Sequence, residues 1–438
     1  MHILDPQQIA QLDLNDPLGH FGEEFAKPSR ENGEPWVYLC GNSLGLMPMG
    51  VPAALKVETD SWAQRAVEGH FEGVHPWMDY HQRFSGPLAR LVGAEECEVV
   101  AGNTLTVNLH LLMAGFYQPD KRSNDHGRNI ILMEAGAFPS DQYAMDSQIR
   151  HHGLDPKRCL VEVALPDDRA EDPTAPVLKQ IALLGERLSV VMLGAVHYYT
   201  GSFFDIPSVV EAAHRVGALV GLDLAHAAGN VPLELHAWGV DFACWCSYKY
   251  LNSGPGGPAG LFVHRKHHTR QDLGRLEGWW GHEAATRFEM PRDFVPATGA
   301  QAWQLSNAQV MAMAPHAVAL ELHDRAGMEA LRNKSLALTE MLEAVLLDFL
   351  EKHPELKGRI LTPSNPRRRG CQLSLFLEHR GRDLFDHLHQ HGILADWRNP
   401  GTIRMAPVPL YNQFADVFAV QKALGSFGNK EHVEAPLH

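Results

Sequence analysis

Phe242-Ala-Cys-Trp-Cys-Ser-Tyr-Lys249-Tyr-Leu-Asn-Ser-Gly-Pro-Gly-Gly257 decides the reading of this chain. A run of small, apolar and aromatic residues predicts a buried strand over 241–246, and a lysine stands just beyond its end. A turn rich in glycine and proline follows. A buried ammonium is costly unless it is paired or neutralised. A lysine held as a Schiff base with an aldehyde cofactor meets that condition, because the ammonium charge is gone. The alternative is a lysine whose stem is buried while its amine reaches water.

Working outward, strand signals recur at 98–101, 129–133, 159–163, 189–196, 218–223 and 260–264. Helical spacing lies between most of them, at 106–116, 140–151, 173–188 and 207–216. Such alternation predicts a mostly parallel sheet covered on both faces, with ligands bound beyond the carboxyl ends of its strands. The residues there carry chemistry. Gly102-Asn-Thr-Leu-Thr-Val-Asn108 opens a helix, where free N–H groups suit a phosphate; Thr104 or Thr106 as a plain N-cap is the alternative. Glu134-Ala-Gly-Ala-Phe-Pro-Ser-Asp141 places an aromatic and an acid at a turn, or a cap at Ser140 or Asp141. His197-Tyr-Tyr-Thr-Gly201 and Asp223-Leu-Ala-His226 follow the fourth and fifth strands. A buried Asp223 needs a cationic partner, and a protonated pyridine nitrogen is one.

The N-terminal stretch reads as an arm with a short helix, followed by the turn-rich Gly41-Asn-Ser-Leu-Gly-Leu46. Helical spacing covers 50–68 and 80–92, on either side of the Gly- and aromatic-rich 69–77 loop, which lines a pocket or simply connects. Beyond residue 265, His267-His268 reads as a solvated charge run with no zinc spacing. Residues 278–282 and 296–307 look irregular. Helices are expected at 309–323, 328–351, 381–391 and 412–425, and strands at 371–377 and 402–405, making a small α+β unit. Asn365-Pro-Arg-Arg-Arg-Gly370 reads as a solvated basic turn. The residues after 429 read as frayed.

The bulk composition bounds the function. The 438 residues are 45% hydrophobic and 21% charged, and the formal net charge of −14 argues against nucleic acid and anionic membrane as partners. The six cysteines form no C-x-x-C pair and no disulfide framework, so a reducing, cytoplasmic setting is expected. The opening MHILDPQQIAQLDLNDPLGHF lacks the basic and then apolar pattern of an export signal. No apolar run is long enough to span a bilayer.

Five motifs in this order resemble the kynureninases: Leu105-Thr-Val-Asn-Leu-His110, Phe138-Pro-Ser-Asp141, Asp223-Leu-Ala-His226, the Lys249 segment and Gly278-Trp-Trp-Gly-His282. The likeness runs from Tyr38 to Tyr411. These are pyridoxal-phosphate enzymes of the aspartate-aminotransferase fold type. The resemblance implies an α/β chain of that fold (fold type I), with a mostly parallel seven-stranded sheet in a large domain and a smaller α+β C-terminal domain. The expected divisions are 1–50, 51–308 and 309–438. It implies hydrolytic cleavage of L-kynurenine or 3-hydroxy-L-kynurenine to an anthranilate and L-alanine, in tryptophan degradation and NAD biosynthesis.

It implies, further, that Lys249 forms the Schiff base and moves protons at the substrate Cα, with Tyr248 as an acid–base helper or only a phosphate ligand. Phe138 would stack on the cofactor ring. Asp223 would pair with the ring nitrogen, with Asp141 nearby and His226 supporting the ring. Leu105 and Thr106 would hold the phosphate with Tyr248. Arg404 would clamp the substrate carboxylate, and Ser43 would contact substrate. Trp279 and Asn307 would reach the site from the partner of a homodimer. His70, Ser306 and Asn307 would form a polar ring pocket favouring 3-hydroxykynurenine. Some relatives carry serine at Gly194, so a hydroxyl contact near the cofactor is missing here. Three other readings compete. A cysteine desulfurase needs a mobile reactive cysteine, and Cys371, the only late one, sits in a strand-like run. An NAD oxidoreductase needs a Gly-rich first turn that Gly102-Asn-Thr-Leu-Thr is not. A non-catalytic relative would have lost Lys249 or Asp223.

Overall fold

Period-two alternation of apolar side chains builds the central sheet. The computed structural model describes residues 5–120 and 127–428, so the expectation for the end of the chain lies outside the described residues. The strands are β1 (Val99–Ala101), β2 (Ile130–Glu134), β3 (Leu160–Val163), β4 (Leu188–Gly194), β5 (Leu219–Asp223), β6 (Phe242–Trp245) and β7 (Gly260–Val263). Their order is β1-β7-β6-β5-β4-β2-β3. All neighbours pair parallel except β7, which runs antiparallel to both β1 and β6. The mostly parallel seven-stranded sheet is therefore as expected. Leu188, read as the end of a helix, instead opens β4, because the helix Ala175–Leu184 stops at the left-handed Gly185.

The two faces of the sheet bury different halves of each strand. Val99, Leu132, Val191, Leu222 and Trp245 pack into one core, and Val100, Met133, Met192, Phe242 and Leu261 into the other. On the second face Phe116, from the helix Leu105–Phe116, stacks on Phe242 at 4.7 Å. Burial on both faces explains why these strands read as continuous apolar runs. Gly260 is required in β7: a Cβ there would lie 2.2 Å from the Trp245 indole.

A second sheet is antiparallel: β8 (Gly358–Ile360), β9 (Leu373–Leu377), β10 (Asp396–Arg398) and β11 (Thr402–Met405), in the order β8-β9-β11-β10. Helices Met328–Lys352, Gly381–Gln390 and Phe414–Gly425 cover it around a separate apolar core. The N-terminal arm joins this core. Helix Pro6–Leu14, started by an Asp5 capping box, contributes Ile9, and Val37–Tyr38 pairs parallel with Ile393–Leu394. Strands β8 and β10 carry charged or glycine residues and gave no strand signal.

Two loop expectations are corrected. His267 is buried, not solvated: its ring nitrogen lies 2.8 Å from Asp241, which also takes Lys266 and His214. Burial works against that carboxylate's charge, yet these three partners hold its pKa well below the usual range. In the basic turn, Arg369 is 2% exposed and pairs with Glu343 at 2.7 Å, and Arg368 pairs with Asp205 at 3.0 Å. Arg169 reaches the same Glu343. A guanidinium with a buried carboxylate partner is folded into the protein, not solvated.

Candidate active site

The parallel strands β2, β4, β5 and β6 point their carboxyl ends the same way, and the chain beyond each end enters one cavity of about 360 Å³. Its walls include Ser43, Leu105, Thr106, Phe138, Asp141, Asp223, His226, Tyr248, Lys249 and Arg404. Ten predicted residues, drawn from six separated segments, thus meet in one place, where open parallel sheets bind ligands.

One wall is acidic. Asp223 ends β5 and accepts the Ala225 N–H at 2.7 Å. Asp141 hydrogen-bonds to Asp223 and does not cap its helix; the N-cap is Phe138. Glu134 ends β2 and accepts the Gly194 N–H at 3.0 Å, leaving its other oxygen buried without a partner. Burial pushes all three carboxyls up, and for Asp141 the neighbouring Asp223 charge adds to it; Glu134 reaches about 8. Three acids in a dry cleft cannot all ionise without a cation between them.

Lys249 leaves the turn after β6. Its Nζ donates to His226 Nε2 at 2.9 Å and sits 5.9 Å from the centre of the Phe138 ring. Burial, followed by the Lys249 and Arg404 charges, pushes His226 well below its ordinary pKa, so the imidazole is neutral and accepts. Phe138 is 44% exposed, an aromatic face left open toward the cavity. Burial raises the Tyr248 phenol, which keeps its proton.

The cavity also has a polar cradle. Asn103 takes a left-handed conformation, and its amide bonds Asn108, whose own amide returns to the Gly102 carbonyl. This turn presents the first N–H groups of the helix Leu105–Phe116. Thr104 is the N-cap residue but makes no side-chain cap, and the Thr106 hydroxyl lies 2.9 Å from Ser140 Oγ. Free N–H groups, two hydroxyls and open space beside Gly102 suit a phosphate.

Two arginines, Arg398 and Arg404, also line the cavity and form a cationic wall. Arg404 is 1% exposed; Nη1 donates to the Tyr198 carbonyl at 2.7 Å and Nη2 to Asp396 at 2.5 Å. Glu134, Ser140, Tyr198 and Arg398 also line the cavity and were not picked from the sequence as site residues. Glu134 and Ser140 lay inside the quoted strand-end turn, so strand-end position was a usable signal. Arg398 stands on a charged strand that gives no apolar pattern.

Four predicted residues stay outside this cavity: His70, Trp279, Ser306 and Asn307. His70 closes a 3-10 turn and packs edge-on to Trp77 at 5.5 Å. That loop is anchored through Glu58, which is buried and accepts from Trp77 and Tyr80. Trp279 is 48% exposed, and Ser306 and Asn307 are exposed.

An aldehyde cofactor with a pyridine ring and a phosphate matches this donor set: a cradle, an aromatic face, an unpartnered buried acid wall and an amine. Cys371 is buried and its thiol is pushed up to about 12 by that burial, so it is no mobile nucleophile. Among the described residues, no helix is long and apolar enough to cross a membrane.

Comparison with known proteins agrees with the geometry. The kynureninase C-terminal domain profile matches residues 331–424. A kynureninase of Stenotrophomonas maltophilia is 51% identical over 420 residues, covering 95% of this chain and 96% of the relative. One from Flavobacterium johnsoniae is 47% identical over 408 residues, covering 93% and 94%. Among solved structures, a cysteine desulfurase from Escherichia coli superimposes with a TM-score of 0.73 at 18% identity, covering 93% of this chain and 97% of that one. A C-DES mutant with glycine covalently linked to its PLP cofactor gives 0.73 at 16%, covering 90% and 97%. At such identities the structural likeness fixes the fold, which is that of fold type I.

Proposed function

The chain belongs to the kynureninase family, and from that premise we propose that it hydrolyses the Cβ–Cγ bond of L-kynurenine and 3-hydroxy-L-kynurenine, preferring the latter, to release an anthranilate and L-alanine. It is a pyridoxal-phosphate enzyme, a hydrolase acting on carbon–carbon bonds. The observation that carries the finer reading is one cavity lined by a lysine, three buried acids and a buried arginine.

In this reading the cradle of Leu105, Thr106 and Ser140, with Tyr248, holds the phosphate. Phe138 would cover one ring face. Asp223 would pair with the protonated ring nitrogen, and Asp141 hydrogen-bonds to that carboxyl. When bound, pyridoxal phosphate supplies an electron sink for carbanion chemistry at the substrate Cα. Lys249 would hold the cofactor, and its amine, hydrogen-bonded to His226, would be the base placed to take the substrate Cα proton. Tyr248 is the phenol that passes a proton on the substrate side. Arg404 receives the α-carboxylate. Ser43 borders the substrate space.

His70, Ser306 and Asn307 would surround the aromatic ring, and Trp279 and Asn307 would arrive from a second copy. Their exposed positions outside the cavity support shared sites in a homodimer. A chain divided at about 50 and 308 would have Val310–Ala326 as a connecting helix, which gives Met313 and Leu320 to the large sheet's core, while the second sheet has its own core on which the arm packs. A cytoplasmic enzyme of tryptophan degradation and NAD biosynthesis completes the proposal. The test is the visible spectrum of the purified protein with and without 3-hydroxykynurenine, beside Lys249→Ala. Yellow wild type that releases a fluorescent aromatic amine, and a variant lacking both properties, are expected. A colourless wild type after incubation with pyridoxal phosphate overturns the proposal.

A further inference from the structure

The cationic wall contains more than Arg404. Strands β10 and β11 pair antiparallel with Asp396 opposite Arg404 and Arg398 opposite Thr402. Asp396 and Arg398 are two apart on one strand, so both point to the same face as Arg404. Asp396 joins the two arginines. It takes Arg404 Nη2 at 2.5 Å, while Arg398 Nη2 donates to it at 3.1 Å and Arg398 Nε lies 3.0 Å from its other oxygen. Both guanidiniums line the cavity; Asp396 does not. One carboxylate between two always-charged guanidiniums leaves a single positive charge unmatched at the cavity wall.

Arg404 enters the site with donors already committed. Nη1 serves the Tyr198 carbonyl, Nη2 serves Asp396, and Nε is buried with no partner, so two of the five N–H donors are already used. A carboxylate presents two oxygens with about four acceptor sites, more than the N–H donors left on Arg404 satisfy. Arg398 is 37% exposed in its side chain, and its Nε, though close to Asp396, is buried with no hydrogen-bond partner, so this guanidinium too has a donor left for a ligand.

We propose that Arg398 is a second carboxylate-binding guanidinium of this site, tethered by Asp396 in register with Arg404, so that an amino-acid substrate is received by two arginines. This rests on the reading of the cavity as an amino-acid site with Arg404 as first clamp. Arg398 supplies a charge-assisted donor to the oxygen that Arg404 leaves under-satisfied, and the incoming carboxylate matches the surplus charge. It selects α-amino acids over amines of the same shape.

The test is titration of the cofactor absorbance of the holoenzyme with L-alanine and with ethylamine, its analogue without a carboxylate. Arg398→Gln should weaken L-alanine about tenfold or more while moving ethylamine less than about twofold. Arg398→Lys, which keeps the charge and loses the fork, should recover part of the loss. A purely structural role would weaken both ligands alike. An unchanged alanine-to-ethylamine ratio in Arg398→Gln overturns the proposal. Arg404→Gln is measured alongside. If it leaves the ratio intact, the reading of Arg404 fails, whatever Arg398 does.

Discussion

Glutamine in place of Glu134 keeps the shape of the acid wall and removes one titration. Glu134 sits fully enclosed at the end of β2, with one oxygen on the Gly194 N–H and the other without a partner. Burial raises it from 4.5 to about 8, with Asp223 adding its charge. The sign follows from proton counting. Between those two values the folded protein binds a proton that the unfolded chain does not, so stability falls as pH rises. This contribution is whole below about pH 4.5 and is lost through about pH 8. The slope is at most about 1.4 kcal/mol per pH unit. Between pH 6 and 8 the fraction protonated falls from nearly one to about a half, which integrates to about 2 kcal/mol.

Apoprotein is the material for this measurement, because bound cofactor adds its own linkage. Melting of wild type and Glu134→Gln is compared at pH 6, 7 and 8. At roughly 2 cal/mol/K per residue, a chain of this size converts 2 kcal/mol into about 2 °C. Wild type should lose about 2 °C relative to the variant across the interval. Asp141 and Asp223 are present in both proteins and cancel to first order. His197, lowered to about 4 by burial, and His226, also lowered, gain protons more readily when unfolded, and being present in both proteins they cancel in the same way. Melting curves that stay parallel from pH 6 to 8 refute a protonated Glu134.

The remaining predictions follow from geometry already given. Glu343→Ala leaves the buried Arg369 without its carboxylate and should destabilise by about 3–5 kcal/mol; a loss under about 1 kcal/mol in denaturant melts would mean that water replaces the pair. Lys249→Ala mixed with Trp279→Ala, each inactive alone, should regain about a quarter of the wild-type sites if subunits exchange and share sites; no recovery in demonstrated mixed dimers would place Trp279 outside the partner's site. For substrate choice, kcat/KM should favour 3-hydroxykynurenine over kynurenine, and His70→Phe should narrow the ratio; a wild-type preference for kynurenine would reject the polar ring pocket.

How much of this was written in the chain depends on the range of the signal. β4 through β7 are buried on both faces, so their side chains form unbroken apolar runs, and a parallel sheet made their ends the place to look. Lys249, Asp223 and Phe138 follow because each stands within a few residues of a strand end. His267 and Arg369 were misread for the opposite reason. Their partners, Asp241 and Glu343, lie 26 residues away in each case, and no local pattern announces that a charge will be met. Asp396 and Arg398 show the limit most clearly. Their strand is polar, three residues long and paired on one side by β11, so periodicity gives nothing; only the register across the hairpin sets Asp396 opposite Arg404. The cationic wall is thus a tertiary product, whereas the acid wall is assembled from strand ends that the sequence marks one by one. An arginine singled out by resemblance, as Arg404 was, reports one guanidinium. The structure supplies the carboxylate that joins it to a second.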